Sequence, residues 1–285
     1  MSENHSLLLQ HSPIFLGGCP RSGTTLLRVM LDSHPDIACG SELRLVHVFA
    51  NLWRNIRDTR GDILREHFGV TDGNLKTSFA DQLGNILERH RVAQGKSRVA
   101  EKTPANVTVF PLLRELFPAS PLIHVIRDGR DVVASLLGMS WHDERSGKPM
   151  DIVSDVHAAA TTWVECVSIG RSVIAEPGAS AHYHEIRYEE LIQDPVQVLR
   201  KLLEFLGLQW NDAVLEFHNN PRIFAGTEES SASQVALPLY ASAVGRWRRD
   251  LTTKQLESVM TVAGLLLAEL GYCRQQVNDD GVDQP

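Results

Sequence analysis

The chain has 285 residues, of which 43% are hydrophobic and 22% charged, so a globular fold with a sizeable core is expected and a disordered or fibrous chain is excluded. With 28 Lys+Arg against 35 Asp+Glu the net charge is -7. A general nucleic-acid binder leans the other way, so a polyanionic ligand would have to meet a local basic cluster on an acidic body. The four cysteines, Cys19, Cys39, Cys166 and Cys273, form no CxxC pair, which argues against a redox or zinc motif. MSENHSLLLQ lacks the basic start and long apolar run of a signal peptide. The stretch Val262–Ala268 is far too short to span a membrane. The expectation is a soluble, cytoplasmic protein without a membrane anchor.

In chain order, Pro13-Ile14-Phe15-Leu16-Gly17-Gly18 reads as a buried strand running into a tight turn. Residues 22–32 follow as a helix with Leu26, Leu27, Met30 and Leu31 on one stripe, ended by His34-Pro35. Helices are expected over 43–56, 60–68 and 77–92, the last with Phe79, Leu83, Ile86 and Leu87 inward. Residues 97–100 suggest a strand with Lys102-Thr103-Pro104 as its exit, and 110–117 a short helix. Pro121–Ile126 is a second apolar strand, with a helix over 131–137 behind it. The polar segment 141–151 reads as a mobile loop. A long helix is expected over 153–175 and a strand over 181–187. Asp194-Pro195 caps and opens a helix that stops at Gly207. Residues 220–245 read as a long functional loop, and 252–270 as a closing helix ended by Gly271. Strands alternating with helices imply a three-layer α/β fold around a parallel sheet. One domain is expected over 1–285, with its core at about 13–271 and a frayed tail.

Gly18-Cys19-Pro20-Arg21-Ser22-Gly23-Thr24-Thr25 lies between the first strand and its helix, with P-loop spacing. Its glycines let backbone N–H groups approach a phosphate at a helix start. Thr24 stands where a nucleotide kinase carries lysine, so Arg21, Ser22, Thr24 and Thr25 must do the phosphate binding. A kinase is therefore the weaker reading of this loop.

The stretch GGCPRSGTTLLRVMLDSHP resembles the 5′-phosphosulfate loop of sulfotransferases that use 3′-phosphoadenosine 5′-phosphosulfate (PAPS). Val125-Ile126-Arg127-Asp128-Gly129-Arg130-Asp131-Val132-Val133-Ala134-Ser135 is similar to their 3′-phosphate site. The resemblance assigns Arg127 and Ser135 to the 3′-phosphate, and Arg21, Ser22, Gly23, Thr24 and Thr25 to the 5′ side. An arginine fork at a helix N-terminus suits a phosphate physically. Ile186-Arg187-Tyr188-Glu189-Glu190-Leu191 resembles the segment that puts a tyrosine by the adenosine, and Val244-Gly245-Arg246-Trp247 the late loop over the nucleotide.

Cys39-Gly40-Ser41-Glu42-Leu43-Arg44 resembles the C-G-E-E-T-R segment of protein-tyrosine sulfotransferases, departing from it at Ser41 and Leu43. That resemblance implies Glu42 as general base and Arg44 as its partner, with Lys102 on the transferring group and Arg21 on the 5′ side. His47 is a rival base, and His34 and His124 are weaker ones. Ser231 aligns with a donor-binding serine. The resemblance implies PAPS as donor, 3′-phosphoadenosine 5′-phosphate (PAP) as product, no metal, and a hydroxyl acceptor. Peptidyl tyrosine leads as acceptor, with a small phenol or alcohol behind it. A homodimer is possible, and a non-catalytic nucleotide-binding protein is the further alternative.

Overall fold

A computed structural model describes residues 12–175, 179–219 and 242–273. Five short strands form one sheet: β1 (Ile14–Gly17), β2 (Ile37–Cys39), β3 (Arg98–Lys102), β4 (Leu122–Ile126) and β5 (Tyr183–Arg187). Their order is β2-β3-β1-β4-β5, and every pairing is parallel. Every residue of β1, β2 and β4 is buried, as expected for a parallel sheet covered on both faces.

Alternation along β1 divides the core. Ile14 and Leu16 face one side, with α1 (Thr24–Ser33). Phe15 faces the other, where it joins Trp163, Val132 and Ala263. The first side also holds Leu199, Leu202 and Leu203 of an 11-residue helix, Pro195–Phe205, that Asp194 caps by accepting the Gln197 N–H at 3.0 Å. The three-layer α/β architecture is thus as the sequence indicates.

Several elements differ from expectation. β2 is only Ile-Ala-Cys, too short for a periodicity signal, yet it pairs with β3 through Ile37↔Arg98 and Cys39↔Ala100. The two helices expected over 43–56 and 60–68 are one, α2 (Val46–Phe68). Gly61 lies inside it and is buried, with room for no more than an ordinary contact to Asp72 of the next helix, α3 (Asp72–Ala93). Residues 43–45 stay outside α2, because the Leu43 and Arg44 N–H groups bond to Glu101 and Thr103. On α3, Leu83 and Leu87 are buried as expected, whereas Ile86 is exposed.

The helix expected over 153–175 breaks at Asp155, whose side chain accepts the Ala158 N–H at 2.7 Å and restarts the chain as α4 (Val156–Ser172). Segment 141–151 is a turn closed on itself by the His142↔Pro149 bridge and the Asp143 N–H to Lys148 carbonyl bond of 2.9 Å. The helix after β4 starts two residues early, as α5 (Gly129–Leu137), with Asp128 accepting the Arg130 N–H at its N-cap.

Candidate active site

Strand register sets the site. Leu16 of β1 pairs with Lys102, the last residue of β3, and Gly17, the last of β1, pairs with His124 of β4, which runs two residues further, so the three strands end near one another. The phosphate loop leaves the middle one. Lys102 flanks it on the β3 side, and Arg127, one residue past β4, flanks it on the other.

The loop is shaped by close approach. A Cβ at Gly18 would lie 2.4 Å from the Val125 carbonyl oxygen, and one at Gly23 would lie 2.4 Å from the Tyr188 ring. Gly23 has φ 93° and is the N-cap of α1, so it serves a left-handed turn that other residues resist. The first turn of α1 holds no acidic side chain, and its leading N–H groups are those a helix leaves without internal partners. Ser22 Oγ is buried without a hydrogen-bond partner among the described residues. A buried hydroxyl, a helix start and a glycine cradle are the features a phosphate needs.

On the β4 side, Arg21 Nε donates to Ser135 Oγ at 3.1 Å, tying the loop to α5. Arg127 Nη1 donates to the Arg21 carbonyl at 2.9 Å, and Nη2 to the Ala243 carbonyl. The Arg127 guanidinium lies 4.6 Å from the centre of the Tyr188 ring. The expected donor-side residues Arg21, Arg127, Ser135 and Tyr188 therefore come together. Trp163 Nε1 donates to the Arg127 carbonyl at 3.0 Å and holds this corner from below. Asp131, which the sequence reading missed, accepts the Gly245 N–H at 2.7 Å and the Trp247 N–H at 2.9 Å. Burial pushes its carboxyl upward, opposed by the Trp247 N–H and by Arg127. Gly245–Trp247 thus packs at the Arg127 corner. Ser231 lies outside the described residues.

On the β3 side, Lys102 is wholly buried. Its Nζ donates to Glu42 Oε1 at 2.6 Å and to Thr25 Oγ1 at 3.2 Å. Arg44 Nε donates to Glu42 Oε2 at 3.3 Å. Glu42, Arg44, Lys102 and Thr25 form one cluster at the edge of the phosphate loop. Arg44 itself has φ 55°, an uncommon value for a residue with a side chain.

Glu101 and Thr103 organise the cluster, and the sequence reading passed over both. Glu101 Oε1 accepts the Leu43 N–H at 3.2 Å and the Thr103 hydroxyl at 2.7 Å; Oε2 accepts Asn106 Nδ2 at 2.5 Å. Thr103 Oγ1 in turn accepts the Arg44 N–H at 3.2 Å. Burial raises the Glu101 pKa, opposed by its hydrogen bonds to Asn106, Thr103 and Leu43 and by Lys102.

The histidines separate. His34 is buried at the far end of α1, where Nδ1 accepts the Asp36 N–H at 3.1 Å and Nε2 meets the Gln209 carbonyl at 2.9 Å. His124 is buried within β4, 2.7 Å from the Tyr183 hydroxyl, and burial lowers its pKa to about 3. Neither belongs to the cluster. His47 sits in the first turn of α2, its pKa lowered by burial and then by Arg44.

Residues 13–212 match the model of the sulfotransferase family. The chain belongs to that family, and it is a sulfotransferase enzyme by that membership. Among curated relatives, the protein-tyrosine sulfotransferase of Drosophila melanogaster is 30% identical over 268 residues, covering 91% of this chain and 51% of that protein. Protein-tyrosine sulfotransferase 1 of Danio rerio is 30% identical over 271 residues, covering 91% of this chain and 72% of that one. The chain thus spans about half the length of the fly relative. Among solved structures, the sulfotransferase domain of the Synechococcus PCC 7002 olefin synthase aligns with TM-score 0.58 at 20% identity, covering 89% of this chain and 95% of that one. Mouse sulfotransferase SULT7A1 complexed with PAP aligns with TM-score 0.56 at 17% identity, covering 97% and 94%. These two carry the fold. Among the described residues no helix is long and apolar enough to cross a membrane, and no cluster of His, Cys, Asp and Glu suits a metal ion.

Proposed function

We propose that this chain transfers a sulfuryl group from PAPS to a hydroxyl, with peptidyl tyrosine as the acceptor. The observation that carries the proposal is Lys102, which bridges Thr25 of the phosphate loop and the Glu42 carboxylate. One buried cation thereby joins the donor loop to the candidate base. The acceptor identity is supported by the names of the 30% identical relatives.

The donor fits the loop described above: the glycine cradle and the partnerless Ser22 hydroxyl suit a 5′-phosphosulfate, and Arg127 with Ser135 a 3′-phosphate. When bound, the donor supplies an electrophilic sulfur and a phosphate leaving group. Ser22 and Thr24–Thr25 hold the 5′ side, while Arg21, expected there, donates to Ser135 on the 3′ side. Lys102 offsets negative charge growing on the leaving side, where a buried cation acts with little screening. Glu42 takes the acceptor proton late, as the new O–S bond acidifies the hydroxyl. Each Glu42 oxygen accepts one bond from a cation and keeps a further lone pair, so an incoming hydroxyl can donate to it without displacing Lys102 or Arg44. Arg44 is the more exposed of the two cations, so its side of the carboxylate is the open one.

Incubation with labelled PAPS and either an acidic tyrosine peptide or a phenol panel tests the reading. Label on the peptide supports it, and label on phenols alone replaces the acceptor with a small molecule. Turnover should survive EDTA, since Thr24 stands at the kinase lysine position and Lys102 and Arg21 carry charge to the loop. Activity that needs Mg²⁺ and consumes ATP would favour a kinase. No turnover with any acceptor, alongside nucleotide binding, would favour a non-catalytic protein.

A further inference from the structure

Three consecutive residues of one segment meet three consecutive residues of another. Lys102 holds the Glu42 carboxylate, Glu101 accepts the Leu43 N–H, and Thr103 accepts the Arg44 N–H. Successive residues of a strand point to opposite faces, so Lys102 reaches up to the phosphate loop while Glu101 reaches the other way. There Asn106 Nδ2 ties Glu101 Oε2 to the Leu16 carbonyl of β1, at 2.5 and 3.1 Å. Glu101 is 4% exposed and Thr103 3%. The fit is directional. Glu101 accepts from three donors, and the Thr103 hydroxyl can accept the Arg44 N–H because its own hydrogen goes to Glu101. Arg44 is held at φ 55° in this arrangement.

We infer that Glu101, acting through Thr103, is a positioning residue for the acceptor side: it fixes the backbone of Leu43–Arg44 so that the Glu42 carboxylate stands at Lys102. This rests on the reading of Glu42 as the base. Glu101 touches no reacting atom. A Gln in its place keeps the shape but sets an NH₂ against one of three donors, so at least one hydrogen bond is lost. Asn106 could turn its amide to accept that NH₂ only by giving up its bond to the Leu16 carbonyl.

The test pairs a structural readout with a kinetic one. In Glu101→Gln, amide hydrogen exchange at Leu43 and Arg44 should speed up while exchange in α1 and PAP affinity stay near wild type. kcat should fall on the order of 10- to 100-fold, the scale of a misplaced catalytic group. Thr103→Val should do the same and Thr103→Ser should restore it. In a Glu42→Gln background, adding Glu101→Gln should cost little more. Full additivity, or a loss of PAP affinity equal to the loss of kcat, would overturn the inference, as would unchanged exchange at Leu43 and Arg44. If Glu42→Gln keeps full turnover, the base assignment fails by itself. The exchange result then still decides whether Glu101 holds the loop.

Discussion

The two sides of the site are shaped by different forces. The phosphate loop is shaped by steric exclusion: a Cβ at Gly18 would strike the Val125 carbonyl, and one at Gly23 the Tyr188 ring. Loop 40–45 is shaped by hydrogen bonds that two of its backbone N–H groups donate to Glu101 and Thr103. Steric shape needs glycine at fixed positions and therefore shows in a sequence. Hydrogen-bonded shape can be supplied by ordinary Glu, Thr and Asn residues far along the chain, and does not.

That contrast predicts how each side breaks. The largest effect is expected at Glu42, the proposed base: Glu42→Gln should lower kcat by about 10²–10⁴-fold, as removal of a general base does, with PAP affinity nearly unchanged. Stopped-flow or steady-state rates with saturating donor read this directly. Should His47→Ala lose turnover while Glu42→Gln keeps it, the histidine is the base.

The donor loop should fail in the opposite sense. Gly23→Ala meets the Tyr188 ring and a left-handed backbone that costs an L-residue roughly 1–2 kcal/mol. PAP affinity should drop by at least the corresponding ~10-fold, with a lower melting temperature, whereas kcat at saturating donor changes less. Calorimetric titration with PAP checks it, and wild-type affinity would show that the ring moves aside freely.

Arg127→Ala should weaken PAP by about tenfold or more, the worth of a charge-assisted hydrogen bond, and weaken the 3′-dephospho nucleotide far less. Equal weakening of both would remove Arg127 from the 3′ site.

A pH dependence is expected around Glu101. Glu101 protonates above the ordinary carboxylate range because it is buried, and the protonated form cannot accept from all three donors. Turnover should therefore fall as pH drops through that raised value. Lys102 is the charged neighbour opposing the shift. Stability moves the other way: the folded chain takes this proton before the unfolded chain does, so acid does not unfold the protein through Glu101. In Glu101→Gln the low-pH rate should already appear at neutral pH, and this acid limb should vanish from the rate profile.

Most of the fold was legible because apolar runs such as Ile14–Leu16, closed by Gly17-Gly18, and Leu122–Ile126 mark buried strands. β2 was not, since Ile37-Ala38-Cys39 is a three-residue run with a small residue at its centre and no such glycine pair to close it. The single helix α2 was hidden by the polar run Arg57-Asp58-Thr59, which fell between the two expected helices. There local composition lost to packing: Arg57 pairs with Glu115 at 3.0 Å. In the site, the resemblance pointed to Glu42, Arg44, Lys102, Arg127, Ser135 and Tyr188, which the fold brings to the phosphate loop. Glu101, Thr103 and Asp131 were missed because each acts on the site through backbone N–H groups, and those look alike in every sequence.

The strand order has a consequence for how the chain is made. Among the described strands β1 is the first to be synthesised and the central one of the sheet, yet its partners lie at residues 98–102 and 122–126. Through the synthesis of some eighty residues, Ile14-Phe15-Leu16 has no neighbouring strand to pair with and must avoid other partners. Parallel pairing over such distances is intrinsically slow. The Arg127 corner is later still, since Asp131 gains its contacts only when Gly245 and Trp247 have been made. A nucleotide bound there, as proposed, would favour a chain folded through Trp247 over one that stops short of Gly245, by mass action.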